Sequence, residues 1–365
     1  MQTLGYIYLN TNQLERARRI AQVLFQGATR SGMAAIKSWA DWFPGVVCYH
    51  RNELESAAQY FTEIFENRYT AEISPFRDAV AGLALIHQLN GESAEAWQIV
   101  ESISQFDLEM RGSEDERTRS LRARLMLIQG DLEGAGNWVD TFSDPPPDLA
   151  LMWLEEPQVT RARVLVARGA DADLRLALQI LETLDEIADR THNARYKIEI
   201  LALRALALNA VALRAQGETR SAIAAADATL MQAVDLAQPG GFIRIFADLG
   251  KPMQKMLQRL VKQGHSVQTI NHILTAFPFD DKNLVGSTRW LSQSDSTLVE
   301  PLTPRELEIL ILLHGSMSIK EIALKLNISY GTAKGYTINI YSKLGVHRRW
   351  DAITRAEDLN ILPPR

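Results

Sequence analysis

The sequence is poor in several things that commonly reveal a function. It contains one cysteine, Cys48, which excludes an internal disulfide framework and any multi-cysteine metal site. Flanked by Val46, Val47 and Tyr49, that thiol reads as a small core side chain. No run approaches the roughly 20 uncharged apolar residues of a membrane span. The longest candidate, residues 198–215, is broken by Glu199, Arg204 and Arg214. The N-terminus lacks the basic region and cleavage site of a secretory leader, so a cytoplasmic location is expected, with no membrane partner.

Catalytic signals are also missing. Gly250-Lys251 lacks the Gly-x-x-x-x-Gly-Lys-Ser/Thr frame of a phosphate loop, with Ile245 in place of the first glycine and Pro252 in place of the hydroxyl. There is no nucleophile elbow. His265 and His272 stand seven apart without an acid at zincin spacing, and both read as ordinary surface or packing histidines. No catalytic residue, cofactor or metal is expected, and an enzyme is the least supported class.

A uniformly basic charge is absent too. Lys plus Arg number 39 against 44 Asp plus Glu, a net of −5. The charge is uneven, however. Residues 301–365 carry nine basic and six acidic side chains, a net of +3, which leaves −8 on residues 1–300. With 46% apolar and 23% charged residues, the 365-residue chain has a globular composition and a length typical of two or three domains.

What is present is repetition. A small turn residue followed five positions later by alanine recurs as Asn12…Ala17, Asn52…Ala57, Gly91…Ala96, Gly130…Ala135 and Gly217…Ala222, and Gly169…Ala177 fits with three extra residues. The alanines lie 40, 39, 39, 42 and 45 apart. Asn or Gly at the turn predicts a left-handed helix end, and the acidic or polar residues after it open a second helix. The small alanine lets the paired helices approach closely, and hairpins that bury only part of their apolar stripe must stack.

Leu4-Gly5, Tyr8, Asn12, Leu14 and Ala17 fall at the spacing of tetratricopeptide-type repeats, which this region resembles. Its period exceeds the ~34 residues of that family. The first repeat begins without a polar cap, so an upstream segment is expected. Single periodic residues are read as core. The concave surface as a whole is the candidate binding face, with Trp39, Trp42, Trp97, Trp138 and Trp153 available to line it or to pack. Pro239-Gly240-Gly241 and Gly250-Lys251-Pro252 then break the helices that close the array.

Residues 279–301 lose helical periodicity and are rich in Ser, Thr, Asp and Asn, the composition of a linker. Residues 302–365 give four short helical segments. Thr303-Pro304-Arg305-Glu306 reads as a capping box, with Leu307, Ile309, Leu310 and Leu313 as the apolar face behind it. Ser318 caps a second helix that ends at Asn327. Ser329 caps a third, from about Gly331 to Leu344, in which Ala333, Ile340 and Leu344 face inward. Trp350, Ile353, Ala356 and Leu359 mark the face of a fourth. Two short helices joined by a tight turn form a helix-turn-helix unit, whose second helix suits the DNA major groove.

Leu302-Thr303-x-Arg305-Glu306, Gly315-x-x-Ser318, Lys320-Glu321-Ile322-Ala323, Leu326-x-Ile328-Ser329, Thr332-x-Lys334, Asn339-Ile340, Lys343-Leu344-Gly345-Val346, Arg349 and Ala352 resemble the LuxR-type DNA-binding domain in one continuous register. The resemblance implies that Lys334, Gly335 and Ile338 face base edges and that Thr332, Tyr336, Lys343 and Arg349 lie near phosphates. It also makes the fourth helix a dimer face. Three positions depart from the family: Tyr336 replaces a His, Ala333 a Val and Ile319 an Asn.

Together with the repeats, and with residues 238–253 similar to the end of their repeat domain, the chain resembles MalT-like LuxR regulators without their ATP-binding domain. The expected architecture is all-α: a tetratricopeptide-like solenoid over 1–278, a linker over 279–301 and a four-helix LuxR-type helix-turn-helix domain over 302–365. The expected partners are double-stranded DNA, a small-molecule or protein effector on the array and a second copy of the chain on DNA. The alternative is a repeat-protein adaptor whose helix-turn-helix makes only protein contacts.

Overall fold

The computed structural model describes residues 1–143, 153–214, 219–277, 304–314, 317–326 and 349–358, together with 333, 336–337, 340–341, 343–344, 346 and 362. The chain divides into two compact units, Met1–Pro278 and Phe279–Arg365. Helices and no strand occur among the described residues. The predicted linker and Gly217 lie outside them.

The first unit is a series of antiparallel helices: α1 (Gln2–Asn10), α2 (Leu14–Ser31), α3 (Ala34–His50), α4 (Leu54–Glu66), α5 (Ile73–Leu89), α6 (Ser93–Arg111), α7 (Glu116–Ile128) and α8 (Leu132–Asp140). It continues through α9 (Pro157–Arg168), α10 (Asp171–Arg190), α11 (Ala194–Arg214), α12 (Thr219–Ala237), α13 (Arg244–Ala247), α14 (Gly250–Lys262) and α15 (Val267–Leu274). The predicted helix ends are where the sequence placed them. Asn12, Asn52, Gly91, Gly130 and Gly169 all have φ between 61° and 88°.

At four of these ends the chain closes in the same way, because the left-handed residue turns the next N–H back onto the helix. Gln13 N donates to Tyr8 O (2.7 Å), Glu53 N to Cys48 O (2.8 Å), Glu92 N to His87 O (2.9 Å) and Asp131 N to Met126 O (2.9 Å). Five of the alanines, Ala17, Ala57, Ala96, Ala135 and Ala177, are fully buried between paired helices. In the last repeat Ala222 is half-buried and Ala226, one turn on, takes the buried place.

Close approach is carried furthest around Phe61. A methyl group added to Gly45 would lie 2.6 Å from the Phe61 ring, and one added to Gly82 closer still, so the ring is sandwiched between two backbones. The tryptophans divide between packing and partial exposure. Trp39, Trp42 and Trp153 are buried, with Trp153 centred 5.5 Å from Trp42, while Trp97 and Trp138 are half-buried. Cys48 is a buried free thiol pushed up to about 12, mainly by desolvation.

The array does not run on as an open stack. Its later part returns to its beginning: Asn12 Nδ2 donates to Leu236 O (2.9 Å), Arg51 Nε to Gly240 O (3.1 Å) and Ile243 N to His50 O (2.7 Å). Asp248 is the focus of this closure. It accepts from Tyr49 Oη (2.7 Å) and Arg124 Nη2 (3.2 Å), and it pairs with Arg244.

Segment 153–156 runs buried between the helices, so its backbone groups require internal partners. Leu154 N donates to Asp78 (2.6 Å), Leu154 O accepts from Arg124 (2.8 Å), and Trp153 O accepts from Arg195 and Tyr196 (each 3.3 Å).

Candidate nucleic-acid interface

The second unit is built around a small apolar centre. Helix α16 (Pro304–His314) contributes Ile309, Leu310 and Leu313, and α17 (Ile319–Leu326) contributes Ile322. From the helix expected to enter DNA, Ala333, Ile340 and Leu344 are buried, as their spacing predicts. Helix α18 (Arg349–Asp358) closes the centre with Ala352 and Ala356, and its Ile353 is buried as well. The side chain of Trp350 and residue Leu359 lie outside the described residues. Only Ile353 and Ala356 of the predicted face are therefore placed; both are buried, Ala356 in the unit's apolar centre.

Helix α17 begins on a reciprocal cap. Glu321 N donates to Ser318 Oγ (3.3 Å) and Ser318 N donates to Glu321 Oε2 (2.7 Å), two orphan donors satisfied at once. Those bonds hold the exposed Glu321 carboxyl below its usual range. At the other end of α17, Arg305 Nη2 donates to Leu326 O (3.2 Å), so α16 clamps the last turn before the helix-turn-helix bend. The capping box expected at Thr303 falls on a residue outside the described set. Its partner Glu306 is buried and holds Lys343.

Of the seven residues expected at DNA, Thr332, Lys334, Gly335 and Ile338 lie outside the described residues. The other three belong to this unit, and each is partly turned inward. Tyr336 is half-buried against the apolar centre. Lys343 Nζ donates to Glu306 Oε2 at 2.9 Å, with 13% of its side chain exposed. Arg349 Nη1 donates to Met317 O (2.6 Å), and its Nη2 to Leu313 O, so the guanidinium caps the end of α16. Thr337 is buried and returns a hydrogen bond to Ala333 O (2.9 Å).

Two further cations were not singled out by sequence reasoning. Lys320 and Lys325 are exposed on α17, the helix that in this motif crosses the sugar-phosphate backbone. Their signal was the lack of any apolar role at those positions beside the buried Ile322 and Ala323. The unit can therefore present ammonium groups from α17 to phosphates while Glu306 fixes Lys343 and the carbonyls of Leu313 and Met317 fix Arg349. Among the described residues no cluster of His, Cys, Asp or Glu could hold a metal ion, and no helix is long and apolar enough to cross a membrane.

Comparison with known proteins gives two family matches. Residues 1–263 match the MalT-like TPR region, and residues 300–356 match the luxR family of bacterial regulatory proteins. The HTH-type transcriptional regulator MalT of Serratia proteamaculans (strain 568) is 28% identical over 246 residues, covering 64% of this chain and 26% of that protein. The protein of the same name from Klebsiella pneumoniae (strain 342) is 28% identical over 250 residues, and that of Yersinia enterocolitica 27% over 246, with the same coverage. The chain thus spans about a quarter of the length of these relatives.

Proposed function

The chain belongs to the MalT-like TPR family and carries a luxR-family domain, and from that premise we propose that it is a DNA-binding transcription regulator. The observation that carries the reading is the luxR match over 300–356 on a unit whose helix-turn-helix core residues, Ile322, Ala333, Ile340 and Leu344, are all buried. Ala333, Ile340 and Leu344 share one face of the third helix, and this reading assigns its other positions to duplex DNA.

In this reading Lys334, Gly335 and Ile338 meet base edges, Ile338 through an apolar contact such as a thymine methyl. Thr332 and Tyr336 lie near phosphates, joined by Lys320 and Lys325. Lys343 and Arg349 act there as cations already oriented by Glu306 and by the carbonyls of Leu313 and Met317. The repeat array takes an effector or partner, and the chain works in the cytoplasm as a homo-oligomer on DNA. The small DNA surface that a single module of ~60 residues buries is what motivates the pairing.

Fluorescence anisotropy on double-stranded DNA tests this. With three or four phosphate contacts per subunit, log affinity falls against log salt with a slope of about −3. Lys334→Ala lowers affinity and relaxes sequence preference, whereas Lys320→Ala weakens all sequences alike. Salt-insensitive or absent binding would instead support the second reading, a repeat-protein adaptor, which the inward engagement of Lys343 and Arg349 favours.

A further inference from the structure

An arginine-lined cavity of about 630 Å³ opens where two successive hairpins of the array meet, between the α4–α5 loop, the start of α5, the end of α6 and the start of α7. Its volume lies in the range of small-molecule sites, roughly 300–1,000 Å³. Four guanidinium groups line it, Arg68, Arg77, Arg111 and Arg117, against the single carboxylate of Asp115. That concentration of positive charge stands in a region, residues 1–300, whose net charge is −8.

The cations are held in different ways. Arg77 is 9% exposed and anchored to the buried Asp107, yet its Nη1 has no hydrogen-bond acceptor and stops 3.6 Å from Asp115. Leaving a buried guanidinium N–H without an acceptor is costly. Arg111 is 60% exposed and reaches Asp115 at 2.5 Å. Arg68 stacks over the Tyr69 ring at 4.9 Å, and Arg117 over the Trp153 ring at 5.0 Å. Beside these charges the walls are apolar and open to solvent: Tyr69 is 76% exposed, Met110 68% and Ile73 45%. Charge on one side and uncovered apolar surface on the other suit a ligand with the same two halves.

We propose that this cavity binds a small organic anion, a phosphate or carboxylate attached to an aromatic or aliphatic body. The guanidinium groups of Arg68, Arg77 and Arg111 take the anionic oxygens, and the body packs on Tyr69 and Met110. The site deepens the effector half of the regulator reading, and rests on that reading only for its consequence at DNA. Titration in the absence of DNA therefore separates a failure of anion binding from a failure of DNA binding.

The test is calorimetric titration of the full chain at low salt with phenyl phosphate, benzoate and phenol. Phenyl phosphate or benzoate saturates one site, the stronger of the two identifying the preferred anion, and phenol does not saturate. The double variant Arg68→Ala/Arg111→Ala alters exposed and half-buried side chains, so circular dichroism stays that of the parent while affinity for the anion falls about tenfold or more. Tyr69→Ala weakens phenyl phosphate but leaves inorganic phosphate unchanged. Failure of both anions to saturate, equal binding of phenol, or unchanged affinity in the double variant overturns the proposal.

Discussion

His50 and Asp78 show how far single residues in the array depend on partners remote in sequence. Arg195 Nη1 lies 3.1 Å from His50 Nε2, and a guanidinium can only donate, so Nε2 accepts and the ring proton sits on Nδ1. Burial, then the charges of Arg195, Arg124 and Arg244, press the imidazole well below its ordinary 6.5. The unfolded chain takes up a proton there that the native chain refuses, so stability is lost as pH falls below 6.5. Asp78 acts in the opposite sense. Burial lifts its carboxyl from 3.8 to about 6 against the bonds from Leu154 and Trp42. Its contribution is complete below 3.8 and is lost as pH rises to about 6. Urea titrations over a pH series should show both slopes by difference. Relative to His50→Gln, the parent loses stability on acidification, and relative to Asp78→Asn, it gains. A third residue-scale test concerns Lys343. Its removal takes a cation from the buried Glu306 carboxylate, so stability should fall. In a double-mutant cycle by urea denaturation, Lys343→Met with Glu306→Gln should cost less than the two single changes added. None of these environments is written locally, since His50 and Arg195 are 145 residues apart.

At the scale of the helix, more was legible, because a helix end is settled by its neighbours in sequence. The left-handed asparagines and glycines were readable for that reason. The end of α10 was not: His192 adopts φ 53° there, and Asn193 N bonds back to Ala188 O at 2.8 Å, with neither Gly nor Asn at the left-handed position. In α12 the buried contact falls on Ala226 rather than Ala222, one turn further along the same helical face. Ser318 was recognised as a cap, and replacing it by alanine should cost about 0.5–2 kcal/mol, read as a lower denaturation midpoint of the second unit. The seat of Phe61 between Gly45 and Gly82 makes a sharper case. Gly82→Ala adds a methyl to a space the ring fills, and overpacking of this kind costs about 1–3 kcal/mol in thermal or urea unfolding. Neither glycine had a turn signal to mark it.

Over the whole molecule, composition and periodicity were enough to separate a repeat array from a small basic unit. The inward residues of the helix-turn-helix followed from spacing, while its outward ones came only from resemblance, because nothing in a lone sequence distinguishes a solvated side chain from one that meets DNA. The return of the array onto itself was beyond reach, for it rests on pairs such as Asn12 with Leu236 and Tyr49 with Asp248. Asp248→Ala leaves Arg124 and Arg244 buried without that carboxylate, and about 3–5 kcal/mol of stability should go with it. An extended repeat stack frays from its tips, each unit leaning only on the next. Here residues 12 and 49–51 are clasped to residues 236–248, so helices far apart in sequence lean on one another as well as on their neighbours. Amide exchange in α3 and in α12 and α13 should therefore rise and fall together, two stretches nearly two hundred residues apart opening as one.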